Sequence, residues 1–197
     1  SPLLGLLALL ALRNEQKTAV RWVALVSSLV TFGLSLWVLA QFDPQVTELQ
    51  LVYAGLWSQV ANATISFSFG LDGLSILMVL LTTFLTPLTL LSTWGDDLKG
   101  KAKGFMAFFL LLEMGMLGVF LAQDLVLFYV FWEFTLIPMY FLIGMWGGER
   151  RVYAAVRFFL FTMAGSVLML LGILFIGLQL GTFSLPALLA GREAFAG

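Results

Sequence analysis

The sequence contains no cysteine and no histidine. Those absences remove thiolate ligands for iron–sulfur clusters, imidazole ligands for haem or zinc, and catalysis by thiol or imidazole. No metal or cofactor site is therefore expected in this chain, and whatever moves through it is expected not to be an electron. Charge is also scarce: Asp, Glu, Lys and Arg together make up 11% of the residues, and the net charge is −1. A chain so weakly charged exerts no pull on polyanions, which excludes nucleic acid as a partner. No glycine loop that could cradle a phosphate, no nucleophile triad and no low-complexity segment is present, and only five prolines interrupt 197 residues.

What fills the chain instead is apolar. Hydrophobic residues reach 61%, with a mean hydropathy of +1.03. A soluble domain needs a larger polar share to coat its surface, so the bilayer is the expected solvent for most of this chain. A first apolar run, Pro2 to Leu12, would rise only ~17 Å as a helix, against ~30 Å of hydrocarbon, and reads as the inner end of a truncated first helix. Five longer apolar segments follow: Val20–Ala40, Leu74–Trp94, Gly104–Ala122, Leu125–Trp146 and Val152–Leu180. Each is long enough to cross. The expected fold is an all-α polytopic membrane protein with about six transmembrane helices and a long outer connection, extended or hairpin-like, from Gln41 to Gly70. Helix breaks are expected near Pro87 and Pro138, and Asp72 is placed to cap the third helix.

Basic residues fix an orientation. Arg13, Lys17 and Arg21 flank the first connection, Lys99, Lys101 and Lys103 fill the third, and Arg150, Arg151 and Arg157 flank the fifth. The second and fourth connections contain neither Lys nor Arg, and Arg192 in the tail alone departs from the alternation. Under the positive-inside rule the odd connections are cytoplasmic and the N-terminus faces outward.

Two acidic residues fall within apolar spans: Glu113 in the fourth and Glu133 in the fifth. Only Gln123 and Asp124 separate these spans, so they form a tight antiparallel hairpin. Each Glu lies about ten residues from the turn, ~15 Å below the outer surface and at nearly one depth. An ionisable residue at mid-bilayer costs ~2.5–3.5 kcal/mol on insertion scales. Hydrocarbon favours the neutral form of a carboxyl and a nearby cation restores the ionised form, so such a group can exchange a proton as a partner comes and goes. Its other reading is a protonated side chain bonded to a neighbouring helix as structural glue. For Glu113 both readings stand. Around Glu133 the local sequence favours proton transfer. Pro138 cannot donate to the carbonyl of Phe134, and that free carbonyl, the Thr135 hydroxyl and the carboxyl together offer hydration sites. Pro87 similarly frees the carbonyl of Thr83, beside Thr82 and Thr86. Small residues at Gly115, Gly118 and Ala122, and at Gly165, Ser166 and Gly172, mark helix-packing strips. The nineteen Phe and six Trp are read as lipid-facing bulk and interface anchors.

The run from Gln123 to Gly147, with Trp132-Glu133 and Ile137-Pro138-Met139-Tyr140 at its core, resembles the fifth helix of the subunit M family of bacterial respiratory NADH:quinone oxidoreductase (complex I). The stretch Arg150 to Ser166 is similar to the sixth helix of that family, and Phe69-Gly70-Leu71-Asp72-Gly73-Leu74-Ser75 to the start of its third. The resemblance covers roughly Phe69 to Gly181. It implies a fourteen-helix antiporter-like fold with two inverted five-helix repeats. Residues 1–103 would hold the first three helices with the outer loop at 41–70. Residues 104–181 would be the first three helices of the first repeat, and 182–197 an outer loop leading to a seventh helix. It further implies that Glu133 pairs with a Lys on the seventh helix, beyond Gly197.

The function implied is a proton-translocating subunit of a redox-driven translocase in the bacterial inner membrane. Its partners would be other membrane subunits, sister antiporter-like subunits among them. NADH, FMN, iron–sulfur clusters and quinone would reside in partner subunits. Two alternatives remain: the D-type subunit of a multi-subunit cation/proton antiporter, and a scaffold bundle that anchors neighbours.

Overall fold

The computed structural model describes residues 2–12, 16–43, 46, 49–60 and 63–190. Arg13 and Arg192, used for the orientation, and the tail beyond residue 190 lie outside the described residues, as does the side chain of Lys99. Helix α1 (Pro2–Ala11) is a single short apolar helix. It is followed by α2 (Lys17–Gln41), a β-hairpin of β1 (Gln50–Val60) and β2 (Ala63–Leu71), α3 (Gly73–Ser92), a 3-10 turn at Leu98–Gly100 and α4 (Ala102–Leu121). Then come α5 (Leu125–Trp146), α6 (Arg151–Leu180) and the six-residue α7 (Leu185–Ala190).

Helices α2 to α6 are the five that are long and apolar enough to cross a membrane among the described residues, and they match the five long segments read from the sequence. The segment after residue 181, expected as loop, carries α7. The outer connection is hairpin rather than merely extended: β1 and β2 pair antiparallel from Gln50↔Leu71 to Val60↔Ala63, with irregularities before Tyr53 and after Leu56.

The expected helix breaks do not occur. Both α3 and α5 run unbroken through Pro87 and Pro138, and both prolines are buried. A proline removes one ladder bond, and a helix packed on its neighbours carries through that loss when flanking groups compensate. Asp72 caps α3 as read from the sequence: its carboxylate accepts from the backbone N–H of Leu74 and Ser75, and the Ser75 hydroxyl accepts from the N–H of Asp72.

The helices alternate in direction, which gives the molecule two unlike ends. At one, the basic end, Lys17 meets Asp97 at 3.1 Å, Arg21 donates to the carbonyl of Asp96, and Lys103 donates to the carbonyls of Leu10 and Leu12. Trp146 Nε1 donates to the carbonyl of Leu98 at 2.9 Å, and the rings of Trp22 and Trp94 meet edge to face. At the other, the hairpin lies against the α4–α5 turn and the segment after α6. Gln123 N–H donates to the Ser68 carbonyl, Leu125 N–H to that of Phe183, and Leu185 N–H to that of Gln123. Gly181 ends α6 with φ +73°, a conformation glycine adopts without penalty, and this turns the chain so that Phe183 is fully buried against Gly177.

Two apolar clusters form the core of the α1–α4 half. One, near the basic end, gathers Leu9, Val20, Ala24, Leu90, Ala102, Phe105, Met106 and Leu110. The other, near the hairpin, joins Leu71, Ile76 and Val79 with Val38, Leu117 and Phe120.

Candidate proton-transfer site

The two carboxyls sit on neighbouring helices that share a close seam. On α4, Gly118 lies under the ring of Phe131 and Gly115 under Phe134 and Thr135, at distances where any Cβ would collide. Further along, Phe108 stacks on Phe141 with centroids 5.0 Å apart, and Gly104 meets Trp146. The small strip at Gly115 and Gly118 thus packs as its composition suggests. The strip on α6 divides: a Cβ at Gly165 or Gly172 would meet nothing, while its third member, Ser166, is buried along with Ala155, Ile173 and Gly177. Seven residues separate Gly165 from Gly172, so both lie on one face, and that face points away from α5.

The seam sets the relative height of the carboxyls. With Gly118 facing Phe131 and Gly115 facing Phe134 and Thr135, Glu113 lies level with Leu136 and Ile137, and Glu133 level with Met116 and Leu117. They differ by about one helical turn, ~5 Å along the axis. Both point away from the seam. On α4, Glu113 is two residues from Gly115, or ~200° around the helix; on α5, Glu133 is two residues from both Phe131 and Thr135, again ~200°. The carboxyls therefore occupy opposite sides of the α4–α5 pair, which spacing within either helix could not reveal.

Their surroundings differ accordingly. Glu133 is half-buried, with one carboxyl oxygen, Oε1, enclosed and lacking a protein hydrogen-bond partner. The Tyr129 hydroxyl interacts with both the Glu133 carboxyl and Ser166, which places Glu133 at the α5–α6 boundary. The Thr135 hydroxyl donates to the carbonyl of Trp132 at 2.7 Å, and the carbonyl of Phe134 loses its helical donor at Pro138. These residues stand within one to five positions of Glu133. Tyr129 is the partner that the sequence reading missed. A phenol four residues before a carboxyl on one helix face is the signal that could have found it. Glu113 is fully buried and neither of its oxygens has a protein partner.

Asp124 is a second omission. Its Oδ1 accepts from the N–H of Val126 and Leu127, capping α5, and its Oδ2 accepts from the N–H and hydroxyl of Ser66 at 2.8 and 2.9 Å. The carboxylate, 1% exposed, thereby locks the start of α5 to β2. Among the described residues no three His, Cys, Asp or Glu side chains gather in a metal-binding group.

Comparison with known proteins places this arrangement. The profile of the family described as NADH:quinone oxidoreductase/Mrp antiporter, TM, matches residues 122–196. NADH-quinone oxidoreductase subunit M of Rhodobacter capsulatus is 46% identical over 170 residues, covering 86% of this chain and 32% of the relative. NADH-ubiquinone oxidoreductase chain 4 of Arabidopsis thaliana is 42% identical over 189 residues, covering 95% of this chain and 38% of its own length. Among solved structures, a chain of respiratory complex I from Thermus thermophilus with bound NADH superposes with a TM-score of 0.75 at 33% identity, over 96% of this chain and 37% of that one. A chain of the Mrp complex from Dietzia sp. shares the fold, with a TM-score of 0.71 at 23% identity, over 87% of this chain and 18% of that one. The chain spans about a third of the length of the curated relatives it matches. Sequence identity across nearly the whole chain, the shared helix arrangement and the matching α5–α6 region together show that it belongs to the NADH-quinone oxidoreductase subunit M (chain 4) family of antiporter-like membrane proteins.

Proposed function

We propose that this chain is part of a proton-translocating membrane subunit of an NADH:quinone oxidoreductase, in which quinone reduction elsewhere drives proton movement through the antiporter-like fold. The observation that carries the reading is the placement of Glu133. Its half-buried carboxyl stands at the α5–α6 boundary, on the side of α5 that α4 leaves uncovered, with Tyr129 and Ser166 beside it. A further helix packing there would bring a cation against it. In this reading Glu133 exchanges a proton as a Lys of the seventh helix approaches and withdraws. The Phe134 carbonyl freed by Pro138 and the Thr135 hydroxyl support hydration. Glu113 is a secondary proton-transfer group.

Residues 104–181, which hold all but the first two residues of α4 together with α5 and α6, form the first three helices of the first five-helix repeat. Residues 1–103 supply the preceding helices and the outer hairpin, and the segment after residue 181 leads to the seventh helix. The partners are other membrane subunits, sister antiporter-like subunits included, and NADH, FMN, iron–sulfur clusters and quinone belong to partner subunits. In this reading the chain sits in the inner membrane with the basic end cytoplasmic and the N-terminus outside, an orientation that Lys17, Arg21, Lys101, Lys103, Arg150 and Arg151 support.

A second reading, a D-type subunit of a cation/proton antiporter, draws support from the family profile, which spans both groups, and from the Mrp-like fold. The higher identity to subunit M and chain 4 relatives favours the first. The test is proton pumping per electron in membrane vesicles carrying the intact complex with Glu133→Ala. That change leaves the seventh-helix Lys without its counter-charge, and pumping is expected to fail while quinone reduction continues slowly. Glu133→Asp, which keeps the charge but shortens its reach, should retain partial activity. Unchanged pumping at unchanged electron flux would make Glu133 structural.

A further inference from the structure

The cations of the basic end fall into two groups. Lys17 is paired with Asp97, Arg21 donates to the carbonyl of Asp96, and Lys103 donates to those of Leu10 and Leu12. Arg150, Arg151 and Arg157, around the start of α6, form no ion pair among the described residues, nor does the exposed Glu149 beside them. Two of these arginines are fixed on an aromatic ring instead. Their guanidinium carbons stand 5.4 Å (Arg150) and 5.3 Å (Arg157) from the centroid of Tyr153. A ring attracts a guanidinium without neutralising it, so both charges are held in place while their N–H groups stay available to an anion.

The depth of this cluster follows from the contacts between α5 and α6. Gly144 faces Ala155, and the ring of Tyr140 packs on that of Phe159, so Tyr153 lies level with Trp146, the last residue of α5. Tryptophan and tyrosine favour the boundary between hydrocarbon and headgroups. Length agrees with that placement. At 30 residues α6 is ~45 Å long, against ~30 Å of hydrocarbon, so its first turns reach into the headgroup layer. Arg157 starts one turn deeper and leans back toward the boundary, as helix side chains lean toward the N-terminus. Arg150 and Arg157 thus present their charge where lipid phosphates lie.

Below them is an apolar groove. Val156 and Leu160 follow Tyr153 by three and seven residues, on the same face of α6. With Phe159 and with Tyr140 of α5 they line a groove of about 270 Å³. Val156 and Leu160 are exposed within it. Two unneutralised guanidinium groups above such a groove complement a molecule with an anion at one end and hydrocarbon at the other. A water-soluble anion would leave the groove empty, and an apolar protein segment would leave the arginines without counter-charge.

We propose that Arg150, Tyr153 and Arg157, with the groove beneath them, form a site selective for an anionic phospholipid. Its phosphate accepts from the two guanidinium groups, and one acyl chain lies along Val156 and Leu160. Arg151 adds positive charge on the headgroup side. The assignment requires only that the chain spans a bilayer, and it is independent of the roles of Glu113 and Glu133.

The test uses the intact complex in lipid nanodiscs containing phosphatidylglycerol with a photoreactive diazirine in its acyl chain. After illumination, peptide mapping is expected to find label on Val156, Phe159, Leu160 or Tyr140. Unlabelled phosphatidylglycerol should compete for this position, whereas equal amounts of phosphatidylcholine or inorganic phosphate should not. Arg150→Gln combined with Arg157→Gln should lower labelling of the groove about tenfold, the effect of losing one charge-assisted bond or more. Tyr153→Leu keeps both charges but releases the guanidinium groups, and should lower it about threefold. Labelling at other positions of the complex should stay constant in all variants. If the double variant does not assemble, the headgroup comparison on the unaltered complex decides alone. Equal labelling by phosphatidylcholine and phosphatidylglycerol probes would reduce the groove to ordinary lipid contact. Absence of label there would mean that protein covers the groove, and either result overturns the proposal, as does labelling unchanged by loss of both arginines.

Discussion

The hairpin end and the basic end of this molecule hold the same helices by different means. At the hairpin end the ties are backbone bonds and the fully buried Asp124 carboxylate, which takes four donors from β2 and α5. At the basic end they are long side chains, and the Lys17–Asp97 pair is 52% and 77% exposed. Buried charge-assisted bonds are worth ~1.5–3 kcal/mol and leave large penalties when broken, whereas exposed ion pairs are worth ~0–1 kcal/mol. One end is therefore fixed in register, and the other is held loosely enough to adjust.

Changes at successive points along this contrast sharpen it, read as thermal stability of the complete subunit in detergent. Gly118→Leu drives a side chain into the ring of Phe131 and should open the seam that joins both ends, at a cost of about 3 kcal/mol or more. Asp124→Ala strands the donors of Ser66, Val126 and Leu127 and should cost about 2–3 kcal/mol; hydrogen exchange should rise in β2 and the first turn of α5 together. Gln123→Ala removes the bond from Nε2 to the Gly70 carbonyl at 3.2 Å and should cost about 1 kcal/mol. Lys17→Ala should change stability by less than about 0.5 kcal/mol, and only at low salt. A loss at Lys17 equal to that at Asp124 would erase the distinction between the ends.

The span pattern was legible because the bilayer demands long apolar runs, and alternation of Lys and Arg marks which connections share a side. The cap at Asp72 was legible from its position before an apolar helix, and the α4 seam from Gly115 and Gly118. The role of Asp124 was only half legible: its capping position is local, but Ser66 lies 58 residues away. Helix breaks at Pro87 and Pro138 were expected from the lost bonds alone, whereas the packing of α3 and α5 keeps both helices intact. The opposite facing of Glu113 and Glu133 depends on which side of each helix meets the other, which is not a property of any single segment. The threonines of α3 stood out beside Pro87, but their tie to α2 shows only where Ser35 and Thr83 meet.

The Asp124 lock gives α5 the mechanics of a lever. Its fulcrum is at the hairpin end, and its far tip, Trp146, is held by an indole bond to Leu98 and by ring packing on Phe105 and Phe108. For a tilt of ~5° about that fulcrum, Glu133, ~13 Å along the helix, shifts by ~1 Å, while Trp146, ~33 Å along, sweeps ~3 Å. A displacement of one ångström is enough to make or break a hydrogen bond at a carboxyl, and three ångströms is a movement that a neighbouring protein can grip. A displacement imposed at the basic end would thus arrive at Glu133 reduced about two-and-a-half-fold.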